Sequence, residues 1–149
     1  MAKRKKTMKH TKKVKLTNDF KKEIIYNSLC NGLSQITHWG YKFDFIDEHY
    51  NQAKQQLKAE KPNEEICIED ILMKILLNDN PIYFFEEDDI PILIDINENL
   101  ISKMYLKDCL KNLDNLPNWV VAGFLIGNDD SEQADIVLQF CIFGEVIFD

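Results

Sequence analysis

Ile25, Leu29, Leu33 and Ile36 follow one another at spacings of four, four and three residues, the interval that returns a side chain to one face of an α-helix. This periodicity recurs along the chain and is cut each time by a breaker, which constrains the fold more than any other feature. Thr17 or Asn18 can cap the first such segment, with Asp19 and Glu23 in its opening turns and Gly40 as its stop, so a helix is predicted over 18–38. Asp44 and Asp47 form a capping-box-like pair ahead of Ile46, Tyr50, Ala53 and Leu57, predicting a helix over 45–59 that ends at Lys61-Pro62. Ile68, Leu72, Ile75 and Leu76 predict a third over 67–78, stopped by Asn78-Asp79-Asn80-Pro81. Leu106, Cys109, Leu110 and Leu113 support a helix over 107–115. Pro117 suits the first turn of one over 117–127. Asp130 with Gln133 resembles a capping box for the last, over 131–143, with Gly144 as its stop. The segment WVVAGFLI, 119–126, is apolar on every side, which predicts a central helix covered all round.

The middle of the chain changes period. IYFFEEDDIPILIDI reads as two strands around an acidic turn, a hairpin over 82–97, with Ile92, Ile94 and Ile96 alternating with Leu93, Asp95 and Asn97. Pro91 fits a strand start or an edge. A further strand is expected over 100–105, and EVIFD is expected to form a short terminal one. The fold class that follows is a mainly helical α+β single domain, with about six helices, a small antiparallel hairpin or sheet, and a basic N-terminal arm. Its core is expected to include Ile25, Leu29, Leu33, Ile46, Leu57, Leu72, Ile75, Val121, Phe124, Leu125, Val137 and Phe140.

Little of the sequence carries recognisable chemistry. Cys30, Cys67, Cys109 and Cys141 contain no CxxC pair and sit among apolar neighbours, so they read as reduced core residues of a protein in a reducing compartment, and no metal is expected. Glu86-Glu87-Asp88-Asp89 are four adjacent carboxylates, but strand neighbours point to opposite faces, so the run reads as a solvated turn. Asp129, Asp130 and Ser131 read as cap chemistry. Neither GxxxxGK nor GxGxxG occurs, so no nucleotide cofactor of those types is expected. His38 and His49, with Asp47 or Glu48 beside them, form the one conceivable His/carboxylate site. A small enzyme built on it is the minority reading.

The charge is segregated. Lys3, Arg4, Lys5, Lys6, Lys9, Lys12, Lys13 and Lys15 supply eight of the 18 cations, whereas residues 17–149 hold the other ten and all 25 carboxylates. Residues 1–16 therefore read as a flexible basic arm, and 17–149 as an acidic globular domain carrying about −15 (10 − 25) behind a formal net charge of −7. No apolar stretch follows the arm's charges, which argues against a secretory signal, and no window approaches the ~20 apolar residues of a membrane span. The expected location is the cytoplasm, or a virion if the source is a phage. The bias toward Lys, Asn, Ile, Asp and Phe suits the AT-rich genomes of phages and mobile elements. The expected function is that of a non-enzymatic accessory or assembly protein acting through contacts. Its arm would bind nucleic acid or the acidic surface of a protein, including a second copy in a homo-oligomer or larger assembly. The alternative is an acidic inhibitor, immunity-type protein or DNA mimic.

Overall fold

The computed structural model describes residues 15–86, 100–127 and 130–148. Seven helices and three strands lie among them: α1 (Asn18–Gly32), α2 (Gln35–His38), β1 (Tyr41–Asp44), α3 (Asp47–Glu60), α4 (Ile68–Leu77), β2 (Ile82–Glu86), β3 (Leu100–Met104), α5 (Leu106–Asn112), α6 (Asn118–Leu125) and α7 (Ser131–Phe143), with a 3-10 turn, Leu113–Asn115, after α5. The protein is thus a mainly helical α+β domain with a small antiparallel sheet.

Local signals explain most boundaries. Thr17 caps α1, its hydroxyl accepting from Phe20 N at 3.1 Å. Asp130 and Gln133 cap α7 reciprocally: the Asp130 carboxylate accepts from Gln133 N at 3.2 Å, and Gln133 Oε1 accepts from Asp130 N at 2.7 Å. Gly40, Gly127 and Gly144 all take positive φ where helices end. Asp79 does the same after α4, at φ 63, in the asparagine-rich stop that precedes Pro81.

The core is assembled mainly from α1, α4 and α7 over one face of the sheet. Ile24, Ile25 and Leu29 of α1 meet Val137 and Leu138 of α7, and Leu72, Ile75 and Leu76 of α4 complete the centre. Gly32 makes the close approach of α1 to α7 possible, because a Cβ there would lie 2.7 Å from Ala134 Cβ. The sheet has the order β1-β2-β3, antiparallel throughout. On β2, Ile82 and Phe84 point into the core, while Tyr83 and Phe85 line a cavity on the other side.

Several expectations fail in instructive ways. The helix predicted over 18–38 breaks at Leu33-Ser34, so that Ile36 on α2 is buried while Leu33 stays half-buried. Asp44 is a strand residue rather than a cap: Tyr41–Asp44 pairs with β2, Phe43 opposite Phe84, and α3 begins only at Asp47. Ile46, just ahead of that helix, and Leu125 are exposed. Cys30 and Cys67 are also exposed, and only Cys109 and Cys141 belong to the core. Within the hairpin expected over 82–97, only β2 falls in the described residues; there it pairs with β1 and β3, and the remainder lies outside them.

EVIFD is no strand in its described part. Its backbone is held instead by Gln139, a fully buried glutamine of α7. Gln139 Oε1 accepts from Ile147 N and Phe148 N, both at 2.7 Å, and Nε2 donates to Phe148 O at 2.9 Å and to Asp135 at 3.0 Å. The Phe148 ring stacks on Trp39, with centroids 5.7 Å apart, and meets Tyr41 and Phe143 edge-on.

Candidate functional site

Lys15 is exposed, Leu16 is buried in the core and Thr17 caps α1. Leu16, grouped with the arm on composition, thus belongs to the body. Of the eight arm cations the described residues include Lys15 alone; Lys3, Arg4, Lys5, Lys6, Lys9, Lys12 and Lys13 lie outside them. The next lysine behaves differently. Lys21 is buried, donating to Leu110 O at 2.8 Å and pairing with Asp114 at 2.6 Å. It fastens the first turn of α1 to the end of α5 and has a structural role.

The surface of α6 is the clearest departure from expectation. Val120, Val121 and Phe124 are buried, and Gly123 brings the helix against α7, since a Cβ there would collide with the Gln133 side-chain amide. Among the described residues nothing covers the opposite face. Trp119 is 52% exposed, Leu125 57% and Ile126 74%, and Ala122 between them is exposed as well. The run 119–126 is apolar on every side, but the fold covers only one of its sides.

The histidine pair does not form a joined group. His38 is exposed at the end of α2, and His49 is half-buried in the first turn of α3 with no protein partner for its buried Nδ1. No hydrogen bond links the two. Their supposed carboxylate partners look elsewhere: Asp47 and Glu48, with Asp44, Phe45, Ile46, Tyr83 and Phe85, line a cavity of about 440 Å³ whose lining includes neither histidine. Of the acidic runs, Glu86 is exposed at the end of β2, Asp130 is the cap of α7, and Glu87, Asp88, Asp89 and Asp129 lie outside the described residues. Among the described residues no three His, Cys, Asp or Glu side chains converge as a metal site requires, and no helix is long and apolar enough to cross a membrane.

One polar cluster escaped the sequence reading because its members are 44 residues apart. Tyr26 of α1 donates to Asp70 Oδ1 of α4 at 2.6 Å, beside a cavity of about 250 Å³ also lined by Glu60, Lys61 and Lys74. The hydrogen bond to Asp70, then burial and the nearby Cys30 thiol, hold the Tyr26 phenol well above its usual range. For Asp70, burial pushes upward, but the bonds from Tyr26 and Cys67 outweigh it and keep the carboxyl below its usual value. Burial and the neighbouring Asp70 push the Cys67 thiol up to about 11, and burial also raises Cys30. Both thiols, exposed at the surface, are thus held toward the protonated form.

No protein-family model matches the chain, and no curated protein or solved structure matches it either.

Proposed function

We propose that this chain is a non-enzymatic accessory or assembly protein that holds a polyanion, nucleic acid before any other, through the cations of residues 3–15. The observation that supports this reading is the placement of charge relative to the core. All eight arm cations precede Leu16, the first buried residue described, while the body after it carries about −15 (10 − 25). A phosphate backbone attracts the arm and repels the body, so contact is confined to a tether. If six of the eight cations reach phosphates, counterion release lowers affinity about 10³-fold between 50 and 200 mM salt. Sequence preference is slight, because lysines on a backbone read no base edge.

The test is a salt series on unrelated duplexes with the intact protein and a variant lacking residues 2–15, which keeps Leu16. The intact protein should bind at low salt with that steep dependence, and the truncated one should stay folded and fail to bind. If the intact protein does not bind at low salt, the tether reading is wrong. The rival reading, an acidic inhibitor, draws on Asp44, Asp47 and Glu48 around one apolar-walled cavity. It gains if the truncated body captures a basic protein.

A further inference from the structure

We infer that the uncovered face of α6 is a self-association surface, on which two copies pair α6 against α6 about a twofold axis. Two observations point to a second copy as the occupant, and a third sets how tightly it would bind. The first is electrostatic. A chain with formal net charge −7 repels its own copies, yet no charged residue occurs from 115 through 128, so two acidic bodies can meet on the α6 face itself without a carboxylate, Asp114 and Asp130 lying only at its two ends. A basic partner would gain nothing there and would be drawn to the carboxylates elsewhere.

The second is shape. Trp119, Ala122 and Ile126 lie at i, i+3 and i+7 on the exposed side, with Leu125 next to them. Trp119 and Ile126 are about 10 Å apart along the axis, and the small Ala122 sits near the midpoint. An antiparallel copy places its Trp119 over Leu125 and Ile126 of the first, and the two alanines let the helix axes approach at the twofold. Large ends and a small centre make this face complementary to itself.

The third is size. The exposed parts of Trp119, Leu125 and Ile126 amount to roughly 350 Å² per copy, near the largest apolar patch an ordinary monomer shows and a little under half of the ~800 Å² per partner of a standard interface. The remainder would come from a polar rim that includes Asn115 and Asn118, both exposed. Such an interface associates weakly and reversibly. It would also present two basic arms on one particle, although the inference does not depend on what the arms bind.

The experiment is sedimentation equilibrium of the full chain from about 1 to about 200 µM, the span expected for an interface below standard size, at low and high salt. A dimer is expected, and it should tighten with salt, because salt screens the repulsion between acidic bodies without weakening apolar contact. An assembly of arm on carboxylates would loosen instead. The double variant Leu125→Lys/Ile126→Lys, at two exposed positions, should raise the dissociation constant at least 100-fold while the far-UV spectrum is unchanged. In the reciprocal test, Ala122→Cys should give a disulfide-linked dimer on mild oxidation, well above the background from Cys30 and Cys67. A monomer throughout, a dimer that survives the double lysine variant, or one that dissolves in salt overturns the inference.

Discussion

Replacing Gly32 by alanine tests the seam between the first and last helices. The added Cβ would stand 2.7 Å from Ala134 Cβ and 3.2 Å from both the Ala134 carbonyl carbon and Leu138 Cδ1. Carbon atoms pack best at about 3.5–4.0 Å, so the nearest contact falls short by about 1 Å. Neither a methyl group nor backbone has a rotamer with which to yield, and the helices must part. Overpacking of this kind costs about 1–3 kcal/mol. Alanine's better helix propensity returns at most about 1 kcal/mol, and less here because Gly32 is the last residue of α1. The net loss is about 1–2 kcal/mol, which lowers the melting temperature of a domain this size by about 3–8 °C. Thermal and urea melts followed by circular dichroism measure it. Adding Ala134→Gly removes the opposing methyl, so the double mutant should show a favourable coupling of about 1 kcal/mol. A Gly32→Ala protein as stable as its parent, or two mutations that simply add, would refute the steric argument.

Two further outcomes are expected. Gln139→Ala strips the acceptor from Ile147 N and Phe148 N; with about 1 kcal/mol lost per bond, exchange of those two amides should quicken at least tenfold and Trp39 emission should shift as Phe148 leaves its ring. Unchanged exchange would show that the aromatic cluster alone holds the segment. The Tyr26–Asp70 pair should stabilise the fold across a plateau of pH. Asp70 is depressed in the folded state, so its contribution is present above the unfolded value near 3.8 and lost as pH falls through the folded one. Tyr26 is raised, so its contribution is full below 10.0 and fades as pH climbs beyond. Because each group is the other's partner, Tyr26→Phe and Asp70→Asn should each flatten both the alkaline and the acid limb, as read from urea midpoints against pH; limbs as steep as the parent's would contradict the assignment.

Helix ends were the most legible part of the sequence, because a cap is local chemistry. Thr17, the Asp130/Gln133 pair and the glycines at 40, 127 and 144 all do what their types suggest. The strand Tyr41–Asp44 was written in the alternation of Tyr41, Phe43 and Phe45, but four residues are too few to outweigh a nearby capping pattern. Burial was harder to read where it depends on how many neighbours the fold supplies. Residues 119–126 suit a covered helix equally well, yet the fold leaves Trp119, Leu125 and Ile126 outside. Cys30 and Cys67 show the same limit, having apolar sequence neighbours without being buried. The Tyr26–Asp70 bond and the Gln139 clamp join distant or unremarkable residues and had no sequence signal. Of the candidate sites, the cationic run 3–15 is a proposal from charge alone, with only Lys15 among the described residues, while the exposed face of α6 emerged only from the fold.

The partnership of α1 with α7 also sets a timetable for synthesis. Gly32 closes α1 and Ser131 opens α7, so 99 positions (131 − 32) separate the two helices that pack most intimately. At about 5–20 residues per second, translation takes roughly 5–20 s to cross that interval. Throughout it, Ile24, Ile25 and Leu29 have no α7 to cover them. A nascent chain of this design would be held by a chaperone for that time or stay at risk of aggregation. Because the closing contact spans so much chain, folding should be slower than the helical content alone suggests.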